Sequence, residues 1–448
     1  MGKFIICLLV VTAIITQVYG QTMWTKDTLN PVLPKGSSGE WDSNIVENPY
    51  VLFDGAVYHM WYAGSDGTGL RIGYAHSSDG INWTKYDDPT TTTPPYTESD
   101  PVLSPGPSGS WDEGHVLQPS VIFDGTSYHM WYGGTNDNLT TRNIGYATAP
   151  DSIHWTKYDD PTTTTTSYAE SDPVLSTGPE AWDFQWVDSP NVLFINGVYH
   201  MWYCGNDGSI TQIGHATSSD KITWVKDILN NPVLKPEAGS WEGAMCYQPS
   251  VLFNGTDFHM WYSGGPAFQW SIGYASSSDG INWVKDTLNN PVLEPEAGSW
   301  DDTYVGQSSV IFNNDSTGFK MWYGGGTGFG MGEIGYATAP FDTTLVSIGF
   351  LDRNAPNDYV LHQNFPNPFN PTTNIKFSIP NLEFVTLKVY NILGEEVATL
   401  VSERLTAGGY SVSWNGTNNQ GIPVSSGIYL YQLKVGNRTE SRRMLLLK

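Results

Sequence analysis

An all-β chain, built from repeated four-stranded sheets and ending in a small β-sandwich, is the fold class that the sequence predicts. Three observations carry this expectation. The 448 residues combine 47 Gly and 28 Pro with 18 Trp, 25 Tyr and 17 Phe, and turn formers mixed with β-favouring aromatics fit sheets better than helix bundles. One unit recurs five times: an apolar strand ending in Phe, a Met-Trp-Tyr strand and an Ile-Gly strand, closed in the first four copies by a further Trp. Past about residue 340 that unit stops and a differently patterned segment begins, as a chain of two or three domains requires.

The elements follow in order. Lys3, the apolar run from Phe4 to Thr16 and the small residue closing Val18-Tyr19-Gly20 read as a secretory signal peptide over residues 1–20. No later stretch approaches the roughly 20 apolar residues needed to span a bilayer, so no transmembrane segment is expected. Of the three cysteines, Cys7 falls in the signal, and Cys204 and Cys246 are either a disulfide or two buried thiols. The 45 acidic and 21 basic residues, a net charge of −24, repel phosphate backbones and exclude nucleic acid as a partner.

The tryptophans of the Met-Trp-Tyr strands are Trp61, Trp131, Trp202, Trp261 and Trp322, spaced about 60 to 70 residues apart, which is room for four strands per unit. In each unit Gly-containing turns join the first strand to the second, and a Ser-x-Asp-Gly type turn joins the third to a short fourth strand opened by Trp83, Trp155, Trp224 or Trp283. The fifth unit lacks that Trp. Trp24-Thr25-Lys26 matches the fourth-strand pattern, so the N-terminal segment is expected to complete blade five of a five-bladed β-propeller over residues 21–345. The connections holding Thr90 to Thr93 and Thr162 to Thr166 are longer than the others and read as loop decoration. A linker is expected over 346–358, and alternation at Ile375, Phe377, Ile379 and at Val385, Leu387, Val389 predicts a sandwich over 359–448.

Two resemblances extend this reading. Asn364-Phe365-Pro366-Asn367-Pro368-Phe369-Asn370-Pro371, Val389-Tyr390-Asn391-Ile392-Leu393-Gly394, Ser426-Gly427-Ile428-Tyr429 and the closing Arg443-Met444-Leu445-Leu446-Leu447-Lys448 resemble the C-terminal sorting domain of type IX secretion substrates, a family similar to FlgD-type Ig-like modules. The resemblance implies a bacterial protein exported through the outer membrane, secreted or held at the cell surface, with the type IX machinery as a partner. The repeated Pro-x-Val-Leu-Phe, Met-Trp-Tyr and Ser-x-Asp-Gly-x-x-Trp elements resemble the five-bladed glycosidase superfamily that includes glycoside hydrolase families 43, 32, 68 and 130. It implies a carbohydrate substrate and carboxylates clustered where the innermost strands begin.

The candidate site is read from those strand starts. Just before them, where family 43 carries Asp, stand Asn48, Gln118, Ser189, Gln248 and Gln307; the four amides are expected to hydrogen-bond a sugar but cannot supply an acid and a base. One residue earlier, Glu47 and Asp188 break the repeat, and chemistry at a single central site must use residues that break symmetry. Glu47 is the expected base and Asp188 a pKa-tuning or orienting carboxylate, with Glu242 or Glu113 as the acid. Strict alternation along a strand would prevent residues 47 and 48 from both facing the pocket. Among aromatics that do not recur, Phe184, Trp186, Phe268, Trp270, Tyr304 and Phe329 are expected on the same face, Trp186 and Trp270 as stacking platforms. The His-Met pairs at His59, His129, His200 and His259 read as framework, the Asp-Gly turns as hairpin chemistry, and neither metal nor cofactor is expected. The function expected is a secreted glycan-directed propeller, a glycoside hydrolase or else a non-catalytic carbohydrate-binding or adhesion propeller.

Overall fold

The computed structural model describes residues 24–448 apart from 137–140, 180–181, 267–268, 314–317, 329–331, 341–347, 353–358, 365–366, 368, 382, 406–407, 420–421, 437 and 448. The expected signal peptide and the candidates Phe268 and Phe329 lie outside the described residues. The chain separates into two compact units, the first ending at Phe341 and the second beginning at Asp342.

The described residues of the first unit form five antiparallel sheets. Sheet I is Ile45–Phe53, Tyr58–Ser65, Arg71–Ser77 and Thr84–Lys85; sheet II is His115–Phe123, Tyr128–Thr135, Arg142–Ala149 and Thr156–Lys157. Sheet III is Trp186–Ile195, Val198–Asn206, Thr211–Ser218 and Val225–Lys226; sheet IV is Tyr247–Phe253, Phe258–Gly264, Ser271–Ser277 and Val284–Lys285. Sheet V is Tyr304–Phe312, Gly318–Gly326, Glu333–Pro340 and, as its outer strand, Thr25–Lys26, with Thr25 opposite Thr338. The N-terminal segment therefore completes the last sheet. Sheets I and II each gain a short strand, Pro101–Leu103 and Pro173–Leu175, on their third strands.

Local chemistry makes the hairpins. Asp54 Oδ1 accepts the N–H groups of Ala56 and Val57 at 2.8 and 2.7 Å, and Asp79 Oδ1 those of Ile81 and Asn82, both at 2.8 Å, so both turns are Asx-stabilised. Gly80 has φ +82° and lies against the Trp322 ring, a place that favours glycine on both counts.

Tryptophans then tie sheet to sheet. The fully buried Trp61, Trp131, Trp202 and Trp322 donate Nε1 to carbonyls in the third-to-fourth strand turns of the next sheets, at Ser152, Lys221, Gly280 and Gly80, over 2.7 to 3.1 Å. Trp322 of sheet V reaches sheet I in this way. The first strands are linked similarly: side chains of Ser120, Asn191, Ser250 and Ser309 accept the N–H of Val192, Val251, Val310 and Val51 in the following sheet at 2.9 to 3.1 Å. The last of these bonds again joins sheet V to sheet I.

The second unit packs two four-stranded sheets around one core. Ile375, Phe377, Ile379, Val385, Leu387 and Val389 are all buried in it, as their alternation predicts. Within the span expected as linker, Ile348–Asp352 forms a strand paired with Gly408–Trp414. That corrects the boundary: the edge of the open sheet recruits the incoming chain.

Candidate functional site

Each first strand breaks its register once, between Glu47 and Tyr50, Leu117 and Ser120, Asp188 and Asn191, Tyr247 and Ser250, and Gly306 and Ser309. Inside every break sits a residue in the left-handed region: Asn48 (φ 52°), Gln118 (54°), Ser189 (52°), Gln248 (51°) and Gln307 (56°). Such conformations cost a non-glycine residue about 1–2 kcal/mol, so the surrounding bonds must hold them. They also end strict alternation along the strand; Asn48 is among the residues lining the pocket and Glu47, one position earlier, is not.

Residues 48–50, 118–119, 189–191, 248–249 and 307–308 line one central pocket of about 40 Å³. That is room for a few waters, not for a sugar ring.

The amides have work inside the ring. Gln118 Oε1 accepts the N–H of the strained Ser189 at 3.0 Å while its Nε2 donates to Tyr247 Oη at 2.7 Å. Gln307 Oε1 accepts the N–H of the strained Asn48 at 3.2 Å and its Nε2 donates to Glu47 Oε2 at 3.0 Å. Gln248 Oε1 meets only a long bond from Ser263 Oγ at 3.4 Å. Asn48 Oδ1 and Ser308 Oγ are buried without a partner among the described residues. The four amides are thus not equivalent: Gln118 and Gln307 brace backbone, and Asn48 keeps an unused acceptor.

Glu47 is half-buried. Burial raises its carboxyl above the ordinary value, opposed by the Gln307 hydrogen bond, so it holds a proton to higher pH than a surface glutamate. Asp188 differs. Its Oδ2 takes Arg142 Nη1 at 3.0 Å and Tyr247 Oη at 3.2 Å, and its Oδ1 takes Ser189 Oγ at 2.9 Å. Burial raises this carboxyl too, against the pull of Arg142, and both its oxygens already accept hydrogen bonds.

Glu242 is placed elsewhere. Lys285 Nζ lies 2.6 Å from its Oε1, and Tyr262 Oη donates to that oxygen at 2.7 Å. The same latch recurs as Lys26–Asp301–Tyr323, Lys85–Asp42–Tyr62, Lys157–Asp112–Tyr132 and Lys226–Asp183–Tyr203. Glu242 is thus held as the four other latch carboxylates are, which fits a framework role, and like Glu47 and Asp188 it is not among the residues lining the pocket. Burial raises its pKa, but the hydrogen bond from Lys285 and others overcome that and leave it below the usual value. Glu113 accepts the N–H of Gly109 at 2.5 Å, a turn carboxylate.

The aromatics that break the repeat join in an edge-to-face file: Trp186 to Tyr247 at 6.1 Å, Tyr247 to Trp270 at 6.1 Å and Trp270 to Tyr304 at 6.0 Å between centroids. Trp186 and Trp270 are half-buried, Tyr247 and Tyr304 buried. The Arg142 guanidinium lies 4.8 Å from the Trp186 centroid and covers one face of that ring. Phe184 is exposed and outside the file.

Arg142, Arg71 and Tyr247 are site members that sequence reasoning missed. Arg71 pairs with Gly64, which pairs with Val46 beside Glu47, and Arg142 reaches Asp188 from the neighbouring sheet. Arg71 Nη1 and Arg142 Nε are buried and meet no hydrogen-bond partner among the described residues. Comparing the five third-strand starts for charge would have flagged both. Cys204 and Cys246 are buried free thiols, and Cys204 Sγ accepts the N–H of Gln248 at 3.1 Å. His59, His129 and His259 each meet a tyrosine hydroxyl at 2.6 to 2.7 Å, a framework role.

Comparison with known proteins places this geometry. An uncharacterized protein of Mycobacterium tuberculosis is 25% identical over 295 residues, 63% of this chain and 89% of its own length. The 1,2-beta-oligomannan phosphorylase of Thermoanaerobacter sp. is 24% identical over 217 residues, 46% of this chain and 63% of its own. Among solved structures, a glycosyl hydrolase from Bacteroides ovatus has a TM-score of 0.53 at 18% identity, covering 71% of this chain and 94% of that one. A structure described as "The GH130 family of mannoside phosphorylases contains glycoside hydrolases that target beta-1,2 mannosidic linkages in Candida mannan" has a TM-score of 0.52 at 18% identity with the same coverage. The first unit thus has the fold of glycoside hydrolase propellers, and residues 369–440 of the second match the FlgD Ig-like domain.

Proposed function

We propose that the first unit is a five-bladed propeller, its sheets I to V being the blades, and that it is a glycan-acting enzyme cleaving or phosphorolysing a glycosidic bond at the mouth of the central pocket. The observation that carries this reading is Glu47: a carboxyl with a raised pKa, beside the meeting point of the five first strands, held by an amide where the latch carboxylates are held by lysines. A protonated Glu47, here the acid and not the base expected from the sequence, donates its proton to the leaving glycosidic oxygen as the C–O bond breaks, and an oxygen of a phosphate anion, which has no proton to lose, attacks the anomeric carbon to give a sugar 1-phosphate. Arg142 and Tyr247 hold Asp188 so that it orients the site without joining the proton transfer. Arg142 Nε, buried with no hydrogen-bond partner among the described residues, favours an anionic attacking group, and relatives named as β-1,2-mannoside phosphorylases make β-1,2-mannosides the first substrates to try.

The test compares release of reducing sugar with formation of sugar 1-phosphate, with and without inorganic phosphate, on mannan, xylan, arabinan and fructan, for the full chain and Glu47→Gln. Phosphate-dependent turnover lost in the variant supports phosphorolysis, and phosphate-independent turnover lost in the variant supports hydrolysis. Binding of a polymer without turnover would leave the carbohydrate-binding propeller as the function. The Ig-like second unit is proposed as a type IX sorting domain that takes the protein to the cell surface or beyond. Deleting residues 359–448 and finding undiminished surface protein would remove that assignment.

A further inference from the structure

A second cavity, of about 290 Å³, opens beside the outer strand of sheet II, and Pro105, Pro107, Trp155, Glu170 and Ser171 are among its lining residues. It shares no lining residue with the central pocket. Sheets I and II carry similar insertions, so the bonds at this place can be compared between them.

The two sheets are matched by equivalent bonds: Trp41 Nε1 donates to Ser99 Oγ at 2.9 Å, and Trp111 Nε1 to Ser171 Oγ at 3.1 Å. This correspondence sets Glu40 against Ser110, Ser37 against Pro107 and Glu98 against Glu170. In sheet I the buried Glu40 accepts the N–H groups of Thr97 and Glu98 at 2.9 and 3.2 Å, and also the Thr97 hydroxyl. Glu98 in turn accepts the N–H of Ser37 at 3.0 Å. In sheet II a serine is too short to make the first closure, and a proline has no N–H for the second. Two changes within the repeat thus remove from sheet II the two closures that sheet I makes.

We propose that this hollow is a second glycan-binding site, taking one residue of a neutral polysaccharide chain away from the central pocket. The proposal rests on the glycan-directed reading above. Trp155 and the two prolines offer apolar surface to sugar C–H groups, and the exposed Glu170 and the hydroxyl of Ser171 offer hydrogen bonds to sugar hydroxyls. Lys157 also lines it, but its Nζ is held by Asp112 at 2.6 Å, so that cation is not left to attract an acidic sugar, and the net charge of −24 disfavours one. The volume is near the lower end of small-molecule sites, about 300 Å³, enough for a single ring.

The test is affinity electrophoresis of the full chain through gels holding xylan, arabinan, fructan or mannan, beside Ser110→Glu, Glu170→Ala and Glu47→Gln, with turnover measured in parallel. Ser110→Glu restores the carboxylate that closes sheet I and is expected to draw residues 167–170 inward and weaken retardation at least tenfold, with thermal unfolding unchanged. Glu170→Ala, a surface change, is expected to weaken it severalfold and decides the matter if Ser110→Glu fails to fold. Glu47→Gln is expected to be retarded like the parent. Undiminished retardation of both Ser110→Glu and Glu170→Ala, loss confined to Glu47→Gln, or no retardation of the parent on any polymer overturns the proposal. Failure of the catalytic reading shows separately, as turnover that survives in Glu47→Gln.

Discussion

Gln307 Nε2 donates to Glu47 Oε2 at 3.0 Å, while Oε1 of the same amide accepts the N–H of Asn48 at 3.2 Å. One side chain of sheet V therefore fixes both the candidate acid of sheet I and the strained residue next to it.

For Glu47→Gln, turnover is expected to fall by roughly 10²- to 10⁴-fold, the usual contribution of a positioned acid. In the parent, activity is expected to decline as pH rises through the raised pKa of Glu47, and a pH–rate profile checks that limb. The stability sign is opposite to a salt-bridged carboxylate: with the folded pKa above the unfolded one, the native state binds more protons, and stability falls as pH rises between them. Glu47→Gln is thus expected to be at least as stable as the parent at neutral pH by urea denaturation.

Asp188→Asn is expected to destabilise by about 3–5 kcal/mol, because it leaves Arg142 buried without its charge partner. A variant that keeps the parental urea midpoint would show that Asp188 is not the structural anchor of the mouth.

The braced backbone makes a different prediction. Gln118→Ala removes the acceptor of the Ser189 N–H and is expected to cost about 1–3 kcal/mol of stability. A loss of polysaccharide affinity at unchanged stability would restore Gln118 to sugar recognition.

Glu242→Gln is expected to reduce stability at neutral pH and to leave the pH limb of turnover in place. Because the folded pKa of Glu242 is depressed, its contribution is present above the unfolded pKa and lost as pH falls through the folded one. The parent and variant unfolding midpoints should therefore converge in acid.

His215 is an acid-labile point. Sheets I, II, IV and V place Tyr74, Tyr146, Tyr274 and Tyr336 opposite the Met-Trp-Tyr tryptophan, whereas sheet III places His215, 3.1 Å from His200. Burial, then His200, lowers His215 from 6.5 to about 4. The native state binds fewer protons in that window, so stability falls as pH drops from about 6.5 to about 4, by roughly 3 kcal/mol. His215→Tyr restores the repeat and is expected to flatten that decline in thermal melts between pH 7 and 4.

The five-unit repeat, the hairpin turns at Asp54 and Asp79 and the alternation at Ile375 and Phe377 were legible along the chain because each depends on residues a few positions apart. Repetition also marked Trp61 and its copies as packing, and its breaks marked Glu47 and Asp188. What no pattern along the chain contained was the partner of each carboxylate. Arg142 comes to Asp188 from another sheet, and Gln307 meets Glu47 across 260 positions. Glu242 stands in the slot that Asp42, Asp112, Asp183 and Asp301 hold in the other units, and Lys285 and Tyr262 bind it into a latch made five times over. A carboxyl's proton affinity is set by what surrounds it within a few ångströms, and the pocket's 40 Å³ by how five strands meet. Those are decided only when distant parts of the chain close on one another, whereas strands, turns and repeats follow from local stereochemistry that the sequence carries by itself.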